Sequence, residues 1–525
     1  MRAAGGMAVT ALCAAGAVLA ASLPINADVS WYIQATRQWA AGQTLYAEIG
    51  DVNPPSVFLL HRAAYEIAML FGPLGRGQGD YYALTGLFAL LLLGVTLLSE
   101  RLLRDLPGLS ATARASLVFG MPVIAVLVAL GDFLERDHWM LPALLPHALC
   151  LYRLQIGAPA PRRLAIAAAL LAGFFALLKP YFLVPYLLLE AYLALRRRAI
   201  LLPFRRENFL AAGLYLAGTA AMYLLFPAYF TEVLPRAGHA YTAYSYHWFI
   251  GFARSDVYLP CGLALLLLLA AGQAASKPAA ELARTLFALA LAFAVGFLVQ
   301  QKGWYYQFVP ALGAAVLGGT VLCTALLADN LLPRLRRGLG AVVERRGLIA
   351  GVVAGLAFLL PLHLAYLTQL DLRTQSSYDN RVTTLAGLLA EAPEAGYLNL
   401  SPELAPAFPA ATLAHARWVY EQPQLWGLPV YYQPRFNGGA VVSPRHPSQQ
   451  SDRERAFYEG VVEAFLRERP RVVTVRVGEP LPLLRQPFDL LGYFLQDPGF
   501  ADAWRDYGLW GEIEGHEVYL RKPGS

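Results

Sequence analysis

Tyr81-Tyr-Ala-Leu-Thr-Gly-Leu-Phe-Ala-Leu-Leu-Leu-Leu-Gly-Val-Thr-Leu-Leu-Ser99 contains no charged side chain, and that property decides the fold. As a helix rising ~1.5 Å per residue, a run of this length nearly crosses the ~30 Å hydrocarbon core of a bilayer. Runs of similar character recur at about 7–24, 114–131, 139–155, 164–179, 181–195, 209–228, 257–272, 281–299, 305–327 and 348–370, making eleven expected spans. The composition agrees. Of 525 residues, 57% are hydrophobic and only 15% charged, less charge than a soluble domain carries. The expected fold is an α-helical polytopic membrane protein over residues 1–371, followed by a soluble α/β domain over 372–525.

Charge sets the orientation. Counting loops alternately from Arg2 as inside, the inside set up to residue 370 holds 19 Lys and Arg, among them Arg163, Arg206 and Arg337, against 8 outside. The positive-inside rule then places the N-terminus in the cytoplasm and, after an odd number of spans, the tail outside. The expected location is the plasma (inner) membrane. The net charge of +6 is thus a topology signal, and no nucleic-acid partner is expected: residues 371–525 carry 19 acids against 15 bases. Cys13, Cys150, Cys261 and Cys323 all fall in spans, so the exported tail folds without disulfides, and no Cys spacing suits a metal. The first apolar segment also has signal-peptide character. An uncleaved anchor is preferred, because Ile25 suits a cleavage site poorly and further spans follow.

The first outer loop, residues 25–80, carries its own elements. Residues 30–41 form an expected amphipathic helix with Ser30 as N-cap, ending at Gly42. Pro54 and Pro55 then open an apolar stretch to Phe71 that His61, Arg62 and Glu66 interrupt, which suits an interfacial helix on the outer leaflet in contact with membrane lipids. In the tail, 397–401 and 471–477 read as strands and 456–469 and 487–507 as helices. A closing hairpin, 509–514 with 516–521, turns at Gly515. The Pro-, Gly- and Tyr-rich stretch 402–450 reads as a long loop packing back on the membrane domain.

Ionisable groups at a membrane edge are costly and point to function. Here they gather at the outer turns: Asp28 after the first span, Glu135-Arg136-Asp137-His138, Lys179-Pro180-Tyr181, and Gln300-Gln301-Lys302-Gly303-Trp304-Tyr305-Tyr306. Carboxylates with lysines and aromatic neighbours suit activation of an acceptor hydroxyl beside a phosphate leaving group. Each has a plainer reading as well. Asp28 suits a helix cap, and Glu135-Arg136-Asp137 an exposed salt-bridged turn. Lys179 and Lys302 suit snorkelling to headgroups, and Trp304, Tyr305 and Tyr306 an aromatic belt. His138 is more ordinary as a satisfied polar residue than as a base. The run Tyr241-Thr-Ala-Tyr244-Ser-Tyr246-His247-Trp248 suits stacking on a sugar or covering a lipid equally well.

Asp28-Val-Ser-Trp-Tyr32, Gly42-Gln-Thr-Leu-Tyr46 and Asn53-Pro54-Pro55, in that order, resemble the first outer loop of the GT-C superfamily. These are polyprenyl-phosphate-sugar-dependent glycosyltransferases, including protein O-mannosyltransferases and lipid A aminoarabinose transferases. The resemblance implies that the membrane part is GT-C-like and that the second acidic position falls on Asp137, with Glu135 beside it. Lipid A aminoarabinose transferases carry a Lys before the Pro-Pro pair. This chain has Asn53, so its phosphate contact falls to Lys179, Lys302 or Arg136.

The resemblance further implies a hexosyl- or pentosyltransferase acting with inversion. The donor would be a polyprenyl-phosphate-linked sugar and the acceptor a lipid, a glycan or a protein outside the cytoplasm. Asp28 is the preferred general base, with Asp137 and Glu135 as the other carboxylates. Tyr32, Asn53, His138, Tyr244, Tyr305 and Tyr306 are the expected substrate contacts. No protein metal site is expected, and a divalent cation stays open as a cofactor. A transporter or flippase for a lipid-linked or small solute competes with this reading, as does a surface-polysaccharide polymerase or ligase. An assembly protein anchored by its membrane part is a third class, though eleven spans exceed what an anchor needs.

Overall fold

The computed structural model describes residues 25–71, 78–245, 253–328, 345–478, 480–481, 483–513 and 515–524. The expected first span, Cys13, Tyr246, His247, Trp248 and the loop around Arg337 lie outside them. The chain divides into two compact units. A helical unit draws on Leu84–Met222 and Tyr246–Arg373, and a loop–tail unit on Pro24–Ala83, Tyr223–Ser245 and Thr374–Ser525.

Among the described residues, seven helices are long and apolar enough to cross a membrane: Gly79–Leu103, Ala111–Asp132, Arg206–Leu225, Asp256–Gln273, Lys277–Gln300, Val309–Leu326 and Ile349–Leu370. Each coincides with an expected span, and the chain reads as a multi-pass membrane protein. Three other expected spans fall on shorter or less apolar helices. Arg136–Gln155 contains Pro142 and Pro146 as well as His147 and Arg153. Arg162–Ala176 and Leu183–Arg197 have 15 residues each, a rise of about 22 Å. Between them Pro180 starts a single 3-10 turn, Pro180–Phe182, where its missing N–H does no harm.

Lys277–Gln300 is the hub of the helical unit, packing against Asp256–Gln273, Val309–Leu326, Leu183–Arg197 and Arg136–Gln155. Val309–Leu326 is buried almost throughout. Arg206–Leu225 buries Ala211 and Met222 and turns Phe209, Leu216, Leu224 and Leu225 outward, as a lipid-facing helix does. Small residues let the backbones close up. A methyl group on Gly319 would stand 2.6 Å from the Ala357 carbonyl oxygen, and one on Gly173 2.8 Å from that of Ala211. Helices in lipid associate through such close packing, since burial from water drives them little.

In the loop–tail unit the helix Ala27–Ala40 is capped by Asn26, not by Ser30. The Asn26 side chain accepts the backbone N–H of Asp28 at 2.8 Å and of Val29 at 3.3 Å. An amide oxygen one step before the helix reaches those N–H groups, so Ser30 falls inside the helix and turns its hydroxyl to Thr412 at 2.7 Å. Pro55–Leu70 begins at the Pro-Pro pair.

The tail builds a four-stranded sheet from β1 (Tyr397–Leu400), β2 (Val472–Arg476), β3 (Tyr507–Ile513) and β4 (His516–Arg521), in the order β1-β2-β4-β3. β1 and β2 run parallel, and the β3–β4 hairpin closes at Gly515, whose φ of +71° suits glycine. The single helix expected over 487–507 is two, Leu490–Phe494 and Pro498–Trp504. Pro498 cannot continue a helix but can start one, and Asp497 caps it by accepting the Phe500 N–H at 2.8 Å. The 402–450 stretch packs on the first outer loop within this unit. Trp31 meets Phe408 edge-on, Gln34 donates to the Ala416 carbonyl at 3.0 Å, and Arg37 donates to that of Thr412 at 2.9 Å.

Candidate active site

Three turns of the helical unit converge on one buried ion pair. Arg136–Gln155 begins at Glu135, whose carboxylate accepts the Arg136 backbone N–H and lies 3.2 Å from the Arg136 guanidinium. Asp137 is thereby fixed in the first helical turn. Lys179, held in extended backbone by the Pro180 that follows, reaches its carboxylate with Nζ 2.9 Å from Oδ2. Asp137 is 1% exposed and Lys179 8%, so the pair is shielded from water and its attraction is little screened. Behind the ammonium, the rings of Tyr306 and Phe182 lie 5.5 and 5.9 Å away, which adds cation–π attraction. Tyr306 comes from the 3-10 turn Tyr305–Gln307 and stacks on Trp304 at 5.8 Å.

The arrangement corrects two readings of these turns. Glu135-Arg136-Asp137 is not an exposed salt-bridged turn, because all three side chains are buried. His138 has both ring nitrogens engaged on backbone: Nδ1 accepts the Leu134 N–H at 3.1 Å, and Nε2 lies 2.6 Å from the Ala125 carbonyl. Its place as a substrate contact is therefore withdrawn, since no polar atom of the ring is left for a ligand. Lys302 is buried beside Gln301 and Gly303, both in left-handed backbone, and Tyr305 is half-exposed. Arg254 donates to the Gly303 carbonyl at 2.8 Å and tethers that turn.

The remaining expected residues belong to the loop–tail unit. Asp28 lies in the first turn of Ala27–Ala40, where the helix N-terminus favours a carboxylate. Tyr32 and Asn53 are buried and joined, with the Asn53 amide donating to the Tyr32 hydroxyl at 3.3 Å. Tyr46 donates to the Asn53 carbonyl at 2.6 Å; burial, and then the nearby Asp51 carboxylate, hold its phenol well above the usual range and so keep it a neutral donor. Asp51 accepts from Trp31 Nε1 at 2.6 Å and from the Asn53 N–H at 2.5 Å, folding the chain into Pro54. Tyr244 stacks on Trp426 at 5.3 Å and donates to its carbonyl at 3.1 Å, so here it anchors the Leu234–Tyr244 helix to the tail.

A second polar cluster in the helical unit has no counterpart among the expected sites. His147 Nε2 lies 2.9 Å from Glu190 Oε1, which Arg205 also reaches at 2.6 Å, and Tyr186 stacks on the His147 ring at 4.4 Å. Glu190 Oε2 and His147 Nδ1 are buried with no hydrogen-bond partner among the described residues. The sequence held the signal: His147 and Glu190 interrupt otherwise apolar runs. Among the described residues, no group of three or more His, Cys, Asp or Glu side chains could hold a metal ion.

No family model matches the chain, and no curated protein matches it. Among solved structures it is similar to the archaeal oligosaccharyltransferase AglB from Archaeoglobus fulgidus, determined in complex with an inhibitory peptide and a dolichol-phosphate. The likeness covers 99% of this chain and 75% of that one, at a TM-score of 0.42 and 11% sequence identity.

Proposed function

We propose that the protein is a membrane glycosyltransferase that moves a hexose or pentose from a polyprenyl-phosphate donor to an acceptor outside the cytoplasm, with inversion. The observation that carries this reading is the buried Asp137–Lys179 pair where three turns meet, backed by the Tyr306 ring. A buried lysine at a membrane edge offers a fixed cation to a phosphate that gains charge as it leaves. Lys302 and Arg136 are the further cations proposed for the phosphate.

A carboxylate, Asp28 by preference, takes the proton of the acceptor hydroxyl. The hydroxyl oxygen bonds to the anomeric carbon from the face opposite the phosphate. The bond from that carbon to the phosphate oxygen breaks with its electron pair left on the phosphate. Such a leaving group needs no general acid, and no side chain becomes glycosylated. In this reading the N-terminus is cytoplasmic, eleven spans cross the inner membrane, and residues 372–525 are exported. The acceptor class, lipid, glycan or protein, is set by surfaces outside the pair.

Replacing Lys179 by Met should weaken binding of a polyprenyl-phosphate donor at least tenfold per folded molecule, while Lys179→Arg retains most of it, since a charge is the group lost. Equal donor binding by Lys179→Met would remove Lys179 from the site.

One observation favours a second reading, a transporter or flippase. The His147–Glu190 pair joins two helices of the bundle and meets Arg205 in the turn before Arg206–Leu225, and ionisable groups between such helices commonly mark ion or proton paths.

A further inference from the structure

We propose that Asp137 is a counter-ligand for Lys179: it competes with the lipid phosphate for the ammonium and so drives release of the spent carrier. This rests on the glycosyltransferase reading of the same site.

The ammonium has three N–H donors, and among the described residues its hydrogen-bond partner is Asp137, at 2.9 Å, with rings of Tyr306 and Phe182 beside it. Glu135 is committed to Arg136. The four side chains Glu135, Arg136, Asp137 and Lys179 therefore balance in charge. Since these four carry no net charge, a phosphate oxygen that takes Lys179 does so in exchange for a weakened Asp137 contact.

That exchange treats donor and product differently. A sugar-linked polyprenyl phosphate is a phosphodiester with a single negative charge. When its bond to the sugar breaks, the electron pair stays on the phosphate, and the resulting monoester carries about −1.5 to −2 at neutral pH. A bare buried lysine would hold that product more tightly than the donor it came from, and the spent carrier would block the site. A carboxylate fixed in the first turn of a rigid helix waits within bonding distance to reclaim the ammonium. Asp137 thus lowers affinity for every anion and keeps turnover from stalling on the most charged one.

The test measures binding of a short-chain polyprenyl phosphate to the full-length protein in detergent, with inorganic phosphate and the uncharged polyprenol as comparisons. Asp137→Asn keeps the shape and removes the competing charge; Asp137→Ser is the second neutral variant, and Asp137→Glu keeps the charge. The neutral variants should bind the polyprenyl phosphate at least tenfold more tightly and the polyprenol equally well, with Asp137→Glu close to native. Inorganic phosphate should tighten in parallel if the lysine recognises the headgroup alone. Unchanged or weaker binding of polyprenyl phosphate by the neutral variants overturns the competition while leaving the transferase reading intact. If neither neutral variant folds, the pair is a structural tie and the proposal falls. If the native protein binds no polyprenyl phosphate, the underlying reading falls first.

Discussion

Replacing Arg37 by Met tests whether the first outer loop and the tail fold as one body. In the loop–tail unit Arg37 holds Asp80 through two bonds, Nε to Oδ2 at 2.7 Å and an Nη to Oδ1 at 2.9 Å, with side chains 15% and 8% exposed. Its remaining nitrogen donates to the Thr412 carbonyl at 2.9 Å. Methionine keeps the apolar stem but leaves the Asp80 carboxylate without its cation and takes the guanidinium donor from the Thr412 carbonyl. Breaking a buried pair from one side costs about 3–5 kcal/mol, because the surviving charge stays buried. If the unit opens cooperatively, amide exchange in 27–40 and in 407–413 should accelerate together by roughly 10²–10⁴-fold. The double variant Arg37→Met/Asp80→Leu removes both charges and should recover most of the protection. Acceleration under about fivefold, or confined to one of the two segments, would falsify the account of a shared fold.

Two further outcomes concern chemistry and topology. Asp28→Asn keeps the shape of the first helical turn and removes the proposed base, so transfer should fall by roughly 10²–10⁴-fold per folded molecule while donor binding survives. Near-native transfer would move the base to Asp137 or Glu135. Reporter fusions at Arg163 and Arg206 should report cytoplasm and those after Arg373 the exterior, and a cytoplasmic tail would invert the placement of every site residue.

Long-range apolarity was the most legible feature of the sequence. Seven expected spans coincide with helices because eighteen or more predominantly apolar residues leave the chain few alternatives in a bilayer. The stretch from Arg136 to Arg197 was harder to read, since two prolines in one helix and Pro180 between two short ones blur where spans begin. In the tail, the β3–β4 hairpin announced itself through Gly515, whereas the split at Pro498 depended on a cap at Asp497 that a run of helix formers conceals.

The candidate site was legible by residue type and not by partner. Asp137, Lys179 and Tyr306 stood out as polar or aromatic groups at membrane-edge turns, yet nothing in their spacing says that Lys179 meets Asp137 and not Glu135. That choice is made by Glu135 folding back on Arg136 at the helix start. Likewise, Ser30 bonding Thr412, 382 positions away, is a product of tertiary packing that no local pattern encodes.

The central claim is sugar transfer from a lipid phosphate, and the most direct measurement uses the purified full-length protein in liposomes. A labelled polyprenyl-phosphate sugar is supplied with the glycolipid, glycan and protein fraction of the cell envelope, and label is followed into the acceptor pool and across the bilayer. Label should join an acceptor, inverted at the anomeric carbon, and this transfer should be lost in Lys179→Met. No transfer from any polyprenyl-phosphate sugar, together with movement of a lipid-linked or small solute across the same liposomes, would contradict it.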